Sequence, residues 1–155
     1  MSKYKTIVFD IDGTLLNTDL YICLAFLNLF QKYRKEYMPS LKELLSFSGP
    51  TLEDTFEKYF PNVDKKILFD EYERFSKENL KKYTTLYPDE ISVLDELKKR
   101  YHLAICTSRR KDAAIACLKY FDLLKYFELI ISVDDVSKPK PYPESLLKIL
   151  DFFQN

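Results

Sequence analysis

The first residues in this 155-residue chain whose types and spacing could do chemistry are Asp10 and Asp12. They follow Thr6-Ile-Val-Phe9, an apolar run rich in β-branched and aromatic side chains that predicts a buried strand of a parallel sheet. Carboxylates at i and i+2 of an extended segment lie on one side of it, and packing gives no reason for two acids to end so apolar a strand. Open α/β sheets bind ligands outside the carboxyl ends of their strands, which is where these acids would stand. Gly13 then permits a turn that a side chain would obstruct. Acids so placed can hold a cation, attack an electrophile or pass a proton. The plain alternative is a hairpin turn with two solvated acids.

The rest of the chain must position that pair. After Asn17 the apolar spacing becomes helical. Asp19 is a candidate cap for a helix from Leu20 to Tyr37, with Ile22, Phe26, Leu29, Phe30 and Tyr33 on one face. A short helix from Leu41 to Phe47 follows, then one opened by Thr51-Leu-Glu-Asp54 and running through Phe60, then a long one from about Asp64 to Lys82. Residues 17–83 thus predict a helical bundle inserted after the first strand. The α/β alternation resumes with a helix from Glu90 to Arg100, whose Val93, Leu94 and Leu97 should face inward. His102-Leu-Ala-Ile-Cys106 is a second buried strand, and it delivers Thr107-Ser108-Arg109. Lys111 to Phe121 is a helix with Ala113, Ala114, Ala116, Cys117, Leu118 and Phe121 as a close-packing face; Phe127 to Val133 is a third strand. The turn-rich segment Asp134–Pro143 leads to a last helix, Glu144 to Phe153. Strands alternating with helices imply a parallel sheet with right-handed crossovers.

Asp10-Ile-Asp12-Gly-Thr14-Leu, directly after a strand, resembles the first motif of the haloacid dehalogenase superfamily in its phosphatase form. The likeness extends along the whole chain. Thr107 matches the Ser/Thr of the family's second motif, Lys140 in Lys140-Pro141-x-Pro143 matches the lysine of the third, and the helical insertion matches its cap. Gly49-Pro50-Thr-Leu-Glu-Asp-Thr-Phe and Asp134-Asp135-Val resemble a subgroup holding phosphoglycolate phosphatases and a bacterial inorganic pyrophosphatase. The resemblance implies an α/β, Rossmann-like core from residues 1–16 and 84–155, with residues 17–83 as a helical cap. It implies a Mg²⁺-dependent phosphohydrolase acting on a small phosphorylated metabolite, with a sugar-phosphate mutase as the alternative enzyme. A non-catalytic remnant that keeps only the phosphate pocket is the alternative outside enzymes.

The expected chemistry follows from charge. A phosphate ester is anionic, so an attacking carboxylate needs its charge screened, and a Mg²⁺ shared by Asp10 and the phosphate does this. Asp10 would attack phosphorus and form an aspartyl-phosphate. Asp12 would protonate the leaving oxygen and later deprotonate the attacking water; crowding by Asp10 and exclusion of water would push its pKa upward. The resemblance adds that Asp12 also binds metal through its backbone carbonyl. Thr107 and Ser108, with nearby backbone N–H groups, would hold phosphate oxygens, and Lys140 would offset the charge on Asp10 and the transferring group. Lys138 is a substitute for Lys140 that the proline spacing disfavours. Arg109-Arg110-Lys111 reads equally as a phosphate attractant or a solvated basic turn, and His102 as structural.

Composition excludes other classes. Twenty-four Lys and Arg balance 24 Asp and Glu, so no bulk charge points to nucleic acid or an anionic membrane. No apolar run approaches a membrane span, and Lys3 and Lys5 lead straight into a strand rather than a signal peptide. Cys23, Cys106 and Cys117 are odd in number and widely spaced, which suits reduced thiols in a cytoplasmic protein better than disulfides or zinc. The family's fourth motif, an acidic segment on a further strand, has no counterpart after the helix ending near Phe153, so the core is expected to be truncated. Metal binding should then be weakened. The first strand should have an unpaired edge through which the protein self-associates.

Overall fold

A computed structural model describes residues 4–154. The chain divides into two compact units, one formed by Met1–Leu15 with Leu86–Asn155 and the other by Leu16–Thr85. The first is an α/β unit. Its strands β1 (Thr6–Phe9), β4 (His102–Cys106) and β5 (Leu129–Ile131) form a parallel sheet in the order β1-β4-β5. Thr6 pairs with His102 and Phe9 with Ile105, while Ala104 pairs with Leu129 and Cys106 with Ile131. β4 is central, and its Leu103, Ala104, Ile105 and Cys106 are all buried, as its unbroken apolar run requires. Its small side chains Ala104 and Cys106 share one face, where they pack with Ile131 and with Ile149 of α7 (Glu144–Gln154). Among the described residues β1 pairs on one side only, and Val8 is exposed.

Helices α5 (Glu90–Lys98) and α6 (Lys111–Tyr120) complete this unit. Both bury a narrower face than their composition suggests. Val93 is 51% exposed and points away from the core that takes Leu94. On α6, Ala114, Cys117 and Leu118 are buried, at i, i+3 and i+4, whereas Ala113 and Ala116 face solvent. The third strand is shorter than the apolar run 127–133. Ser132 donates its N–H and its hydroxyl to Asp135 Oδ2, both at 2.7 Å, and this capping box turns Val133–Asp135 into a 3₁₀ turn.

The second unit is helical: α1 (Asp19–Tyr33), α2 (Leu41–Leu45), α3 (Leu52–Tyr59) and α4 (Lys65–Tyr83). The short strands β2 (Leu16–Asn17) and β3 (Thr85–Leu86) pair in a two-stranded sheet that periodicity could not reveal, since two residues carry no period. Asp19 is the first residue of α1 rather than its cap, a position where an acid still meets the positive end of the helix. α1 stops at Tyr33 instead of Tyr37. Arg34 leaves helical geometry, donates from Nη1 to the Tyr59 carbonyl at 2.8 Å, and lets Tyr37 stack on Phe30. The core here is aromatic, with Phe26 against Phe47 at 4.4 Å between centroids and Phe30 against Phe60 at 4.7 Å. Capping fixes the other starts: Ser40 and Glu43 form a capping box, Thr51 accepts from the Asp54 N–H, and Asp64 from the Lys66 N–H.

Candidate active site

Parallel pairing of β1 with β4 brings their carboxyl ends to one edge of the sheet, and the polar residues that follow them meet there. Asp10 follows β1 directly. Its Oδ1 accepts the Ile11 N–H at 2.8 Å, and its Oδ2 is 2.9 Å from Lys140 Nζ. Lys140 also donates to the carbonyl oxygen of Cys106, the last residue of β4, at 3.3 Å. The ammonium therefore bridges the ends of two strands. Lys138, the weaker candidate, is exposed; its backbone N–H goes to Glu144 and its ammonium lies over the Tyr142 ring. The turn after β1 runs through Gly13 at φ +73°, a left-handed backbone that favours glycine. The N–H groups of Thr14 and Leu15 close it on the Ile11 carbonyl, and Ile11 is fully buried.

Asp12 meets a residue that the sequence left undecided. Arg109 Nε donates to Asp12 Oδ2 at 2.7 Å and Nη2 to Oδ1 at 2.6 Å, a two-bonded fork between residues 97 apart in the chain. The two side chains are only 14% and 13% exposed, so Arg109 does not belong to a solvated basic turn. Its neighbours do separate things. Arg110 is 60% exposed beside Asp134, and Lys111 pairs with Asp135 at 2.8 Å. A signal for Arg109 exists in the sequence, since it is the basic residue closest after the end of the central strand.

Thr107 continues β4, is buried, and its N–H donates to the Ile131 carbonyl at 3.0 Å. Its hydroxyl oxygen accepts the Arg109 N–H at 3.1 Å, which folds the Thr107-Ser108-Arg109 turn so that the guanidinium reaches back to Asp12. The Ser108 hydroxyl oxygen is buried and has no hydrogen-bond partner. Cys117 packs close by, and its thiol is held above the usual range, by burial first, with Arg109 lowering it and Asp12 raising it. It is therefore an inert thiol. Asp10 with Lys140, and Asp12 with Arg109, are thus brought together as two ion pairs, with Thr107 and Ser108 in the same turn as the second. His102 lies at the other end of β4, hydrogen-bonded to Glu128 at 3.0 Å and stacked on Phe153.

Among the described residues no three of His, Cys, Asp or Glu are grouped closely enough to hold a metal on side chains alone. The donors available at this edge are the Asp10 carboxylate and the backbone oxygens of the turn after it. Mg²⁺ accepts such hard oxygens and commonly takes only one or two carboxylates, the rest of its shell being water and substrate phosphate. The donor chemistry therefore fits that ion.

A parallel sheet with two acids after its first strand, a hydroxyl after its central strand and a lysine bridging them defines a class of hydrolase. The chain belongs to the haloacid dehalogenase-like hydrolases, whose family model matches residues 7–154. It is 33% identical over 150 residues to the pyrophosphatase PpaX of Bacillus cereus, a match that covers 96% of this chain and 68% of that protein. Among solved structures it resembles a haloacid dehalogenase-like hydrolase of Bacteroides fragilis, with a TM-score of 0.84 at 26% identity over 98% of this chain and 74% of the other. A haloacid dehalogenase-like family protein of Streptococcus pneumoniae superposes with a TM-score of 0.82 at 25% identity, over 99% and 72% of the two chains.

Proposed function

We propose that this hydrolase is a Mg²⁺-dependent phosphohydrolase that cleaves a small phosphorylated metabolite through an aspartyl-phosphate on Asp10. The observation that carries the reading is the Asp10–Lys140 pair at 2.9 Å, with a second carboxylate two residues on. Lys140, 2.9 Å from Asp10, offsets charge on that carboxylate and on the transferring group. An Asp10 oxygen forms a bond to phosphorus as the bond to the leaving oxygen breaks; Asp12, which must open the Arg109 fork and take up a proton beforehand, supplies the proton that the leaving oxygen takes away. Water then attacks the aspartyl-phosphate, Asp12 takes its proton, and phosphate and the free Asp10 carboxylate are regenerated. The hydroxyls of Thr107 and Ser108 hold phosphoryl oxygens in line with Asp10. The Asp10 carboxylate and the Asp12 backbone carbonyl would hold Mg²⁺, which would supply charge screening.

The relative's description as a pyrophosphatase supports a phosphoryl substrate. All three cysteines are free and buried, which supports a reducing, cytoplasmic setting, and among the described residues no helix is long and apolar enough to cross a membrane. The test is phosphate release from an aryl phosphate. Release should require Mg²⁺ and be lost in Asp10→Asn by at least about 10⁴-fold, because the amide is a poor nucleophile. An Asp10→Asn protein as active as the parent would end the covalent reading.

A further inference from the structure

We infer that Glu144 is the positioning residue of Lys140: its carboxylate clamps the loop that carries the lysine and so sets where the ammonium stands against Asp10. Its expected effect on turnover rests on the phosphohydrolase reading above.

Prolines leave this loop short of donors. Residues 136–143 run from the 3₁₀ turn after β5 to α7, and Pro139, Pro141 and Pro143 have no N–H. Of the N–H groups that remain, Ser137 donates to Glu144 Oε1 at 2.9 Å and Lys138 to Glu144 Oε2 at 2.8 Å, while Tyr142 closes a turn on the Pro139 carbonyl at 3.0 Å. One carboxylate thus takes two successive backbone donors just ahead of Lys140. These bonds, that from Ser137 first, hold the Glu144 carboxyl below the usual range, so the grip is that of an ionised carboxylate.

The clamp is anchored. Glu144 opens α7, whose Ser145 and Ile149 are buried, and Ile149 packs on Ala104, Cys106 and Ile131 of the sheet. Lys148, one turn on, lies 3.5 Å from Glu144 Oε1 and also donates to the Asp135 carbonyl. The start of α7 therefore holds the loop at Asp135 and again at Ser137-Lys138. An acid that only met the positive end of α7 would leave the N–H groups of the loop alone.

Lys140 needs that hold. Its ammonium stands at the tip of a flexible stem and must meet Asp10 Oδ2 at 2.9 Å and the Cys106 carbonyl at 3.3 Å. Both targets are set by the pairing of β1 with β4, so a loop that moves the root of Lys140 carries the ammonium off them. A displacement of about 1 Å can cost ~10²-fold in rate. Glu144 bonds the loop backbone and acts through Lys140.

The test is a double-mutant cycle with Lys140→Ala on the full chain, read as kcat for p-nitrophenyl phosphate with Mg²⁺, beside the NMR order parameter of the Lys140 Cε in ¹³C-labelled protein. Glu144→Ala should lower kcat by roughly 10–100-fold in the parent and by less than roughly twofold in Lys140→Ala, where no ammonium is left to misplace. Glu144→Gln keeps one acceptor oxygen and should fall between; it also serves if the Ala variant does not fold. The Lys140 signal should lose order in either Glu144 variant. Equal losses in the two backgrounds, which a merely structural role would give, or an unchanged Lys140 signal, overturn the inference. If the parent releases no phosphate, the phosphohydrolase reading fails on its own account. In that case, or if Lys140→Ala turns over too slowly to read, the Lys140 signal alone decides: loss of order supports the clamp and no change overturns it.

Discussion

Asp10 with Asp12, and Asp134 with Asp135, are two pairs of acids in the same unit, each just past a parallel strand and each facing cations. What differs is the partner. Asp134 accepts the Lys111 N–H at 2.7 Å and so caps α6 from outside. Asp135 takes the N–H and hydroxyl of Ser132 and the ammonium of Lys111. Each acid thus receives one backbone N–H, from Lys111 or from Ser132, and is tied into the start of a helix or a 3₁₀ turn. At the other pair, Asp12 is held by the long flexible side chain of Arg109, and Asp10 by that of Lys140 together with the N–H of the residue next to it. Side chains can let go and be replaced by a ligand. The second pair thus caps α6 and the 3₁₀ turn, whereas each acid of the first meets the end of a long cationic side chain that a ligand can displace.

Amide substitutions should separate the two pairs. Asp12→Asn should lower turnover by about 10²–10⁴-fold, the range for loss of a positioned acid–base group, with phosphate release as the measurement. A Tm loss that accounts for the missing activity would put Asp12 in the structural class with Asp135.

Asp135→Asn should do the reverse, leaving turnover nearly intact and destabilising the fold by about 1–3 kcal/mol, because hydrogen bonds to a charged acceptor are lost. At roughly 2–4 °C per kcal/mol for a chain of this size, a thermal melt resolves that. Burial alone would raise the Asp135 carboxyl, but the bonds from Lys111 and Ser132 together hold it below the usual range. A carboxyl with a lowered folded value adds stability that is present above its unfolded pKa, about 3.9, and is lost as pH falls through the folded value. The parent should therefore lose Tm on that acid limb, and Asp135→Asn should show a shallower one. Parallel limbs would mean that the ionised form contributes nothing.

Asp10 and Asp12 are legible in the sequence because their signal is local: an apolar strand, two acids at i and i+2, a glycine at positive φ. The lysine spacing between prolines likewise separates Lys140 from Lys138. Arg109 is not legible to the same degree. Its pairing with Asp12 depends on β4 lying beside β1 and on the Thr107 turn aiming it across, and both are tertiary facts. The same reason explains the smaller errors. Val93 sits at a position helical spacing allows in the core, yet the sheet accepts only the stripe through Leu94. The end of α1 is set by Arg34 reaching Tyr59, a contact with α3 that no windowed pattern contains.

The smallest expected effect comes from an acid on neither side of the comparison. Glu90, the first residue of α5, accepts the Tyr87 N–H at 3.1 Å on Oε2, while its Oε1 is buried without a hydrogen-bond partner. Burial pushes its carboxyl above the usual range, and the Tyr87 bond only partly opposes this. The sign is opposite to that of Asp135. A raised carboxyl adds no penalty below its unfolded pKa, about 4.3; the penalty grows as pH rises to the folded value and stays constant above it. Glu90→Gln keeps an oxygen for the Tyr87 N–H and removes the charge, so it should match the parent near pH 4 and exceed it near pH 7, by no more than ~2–4 °C in Tm. A variant that loses Tm at pH 7 relative to pH 4 would show that the ionised Glu90 is paired, and would place it with Asp135 among the acids that the fold uses.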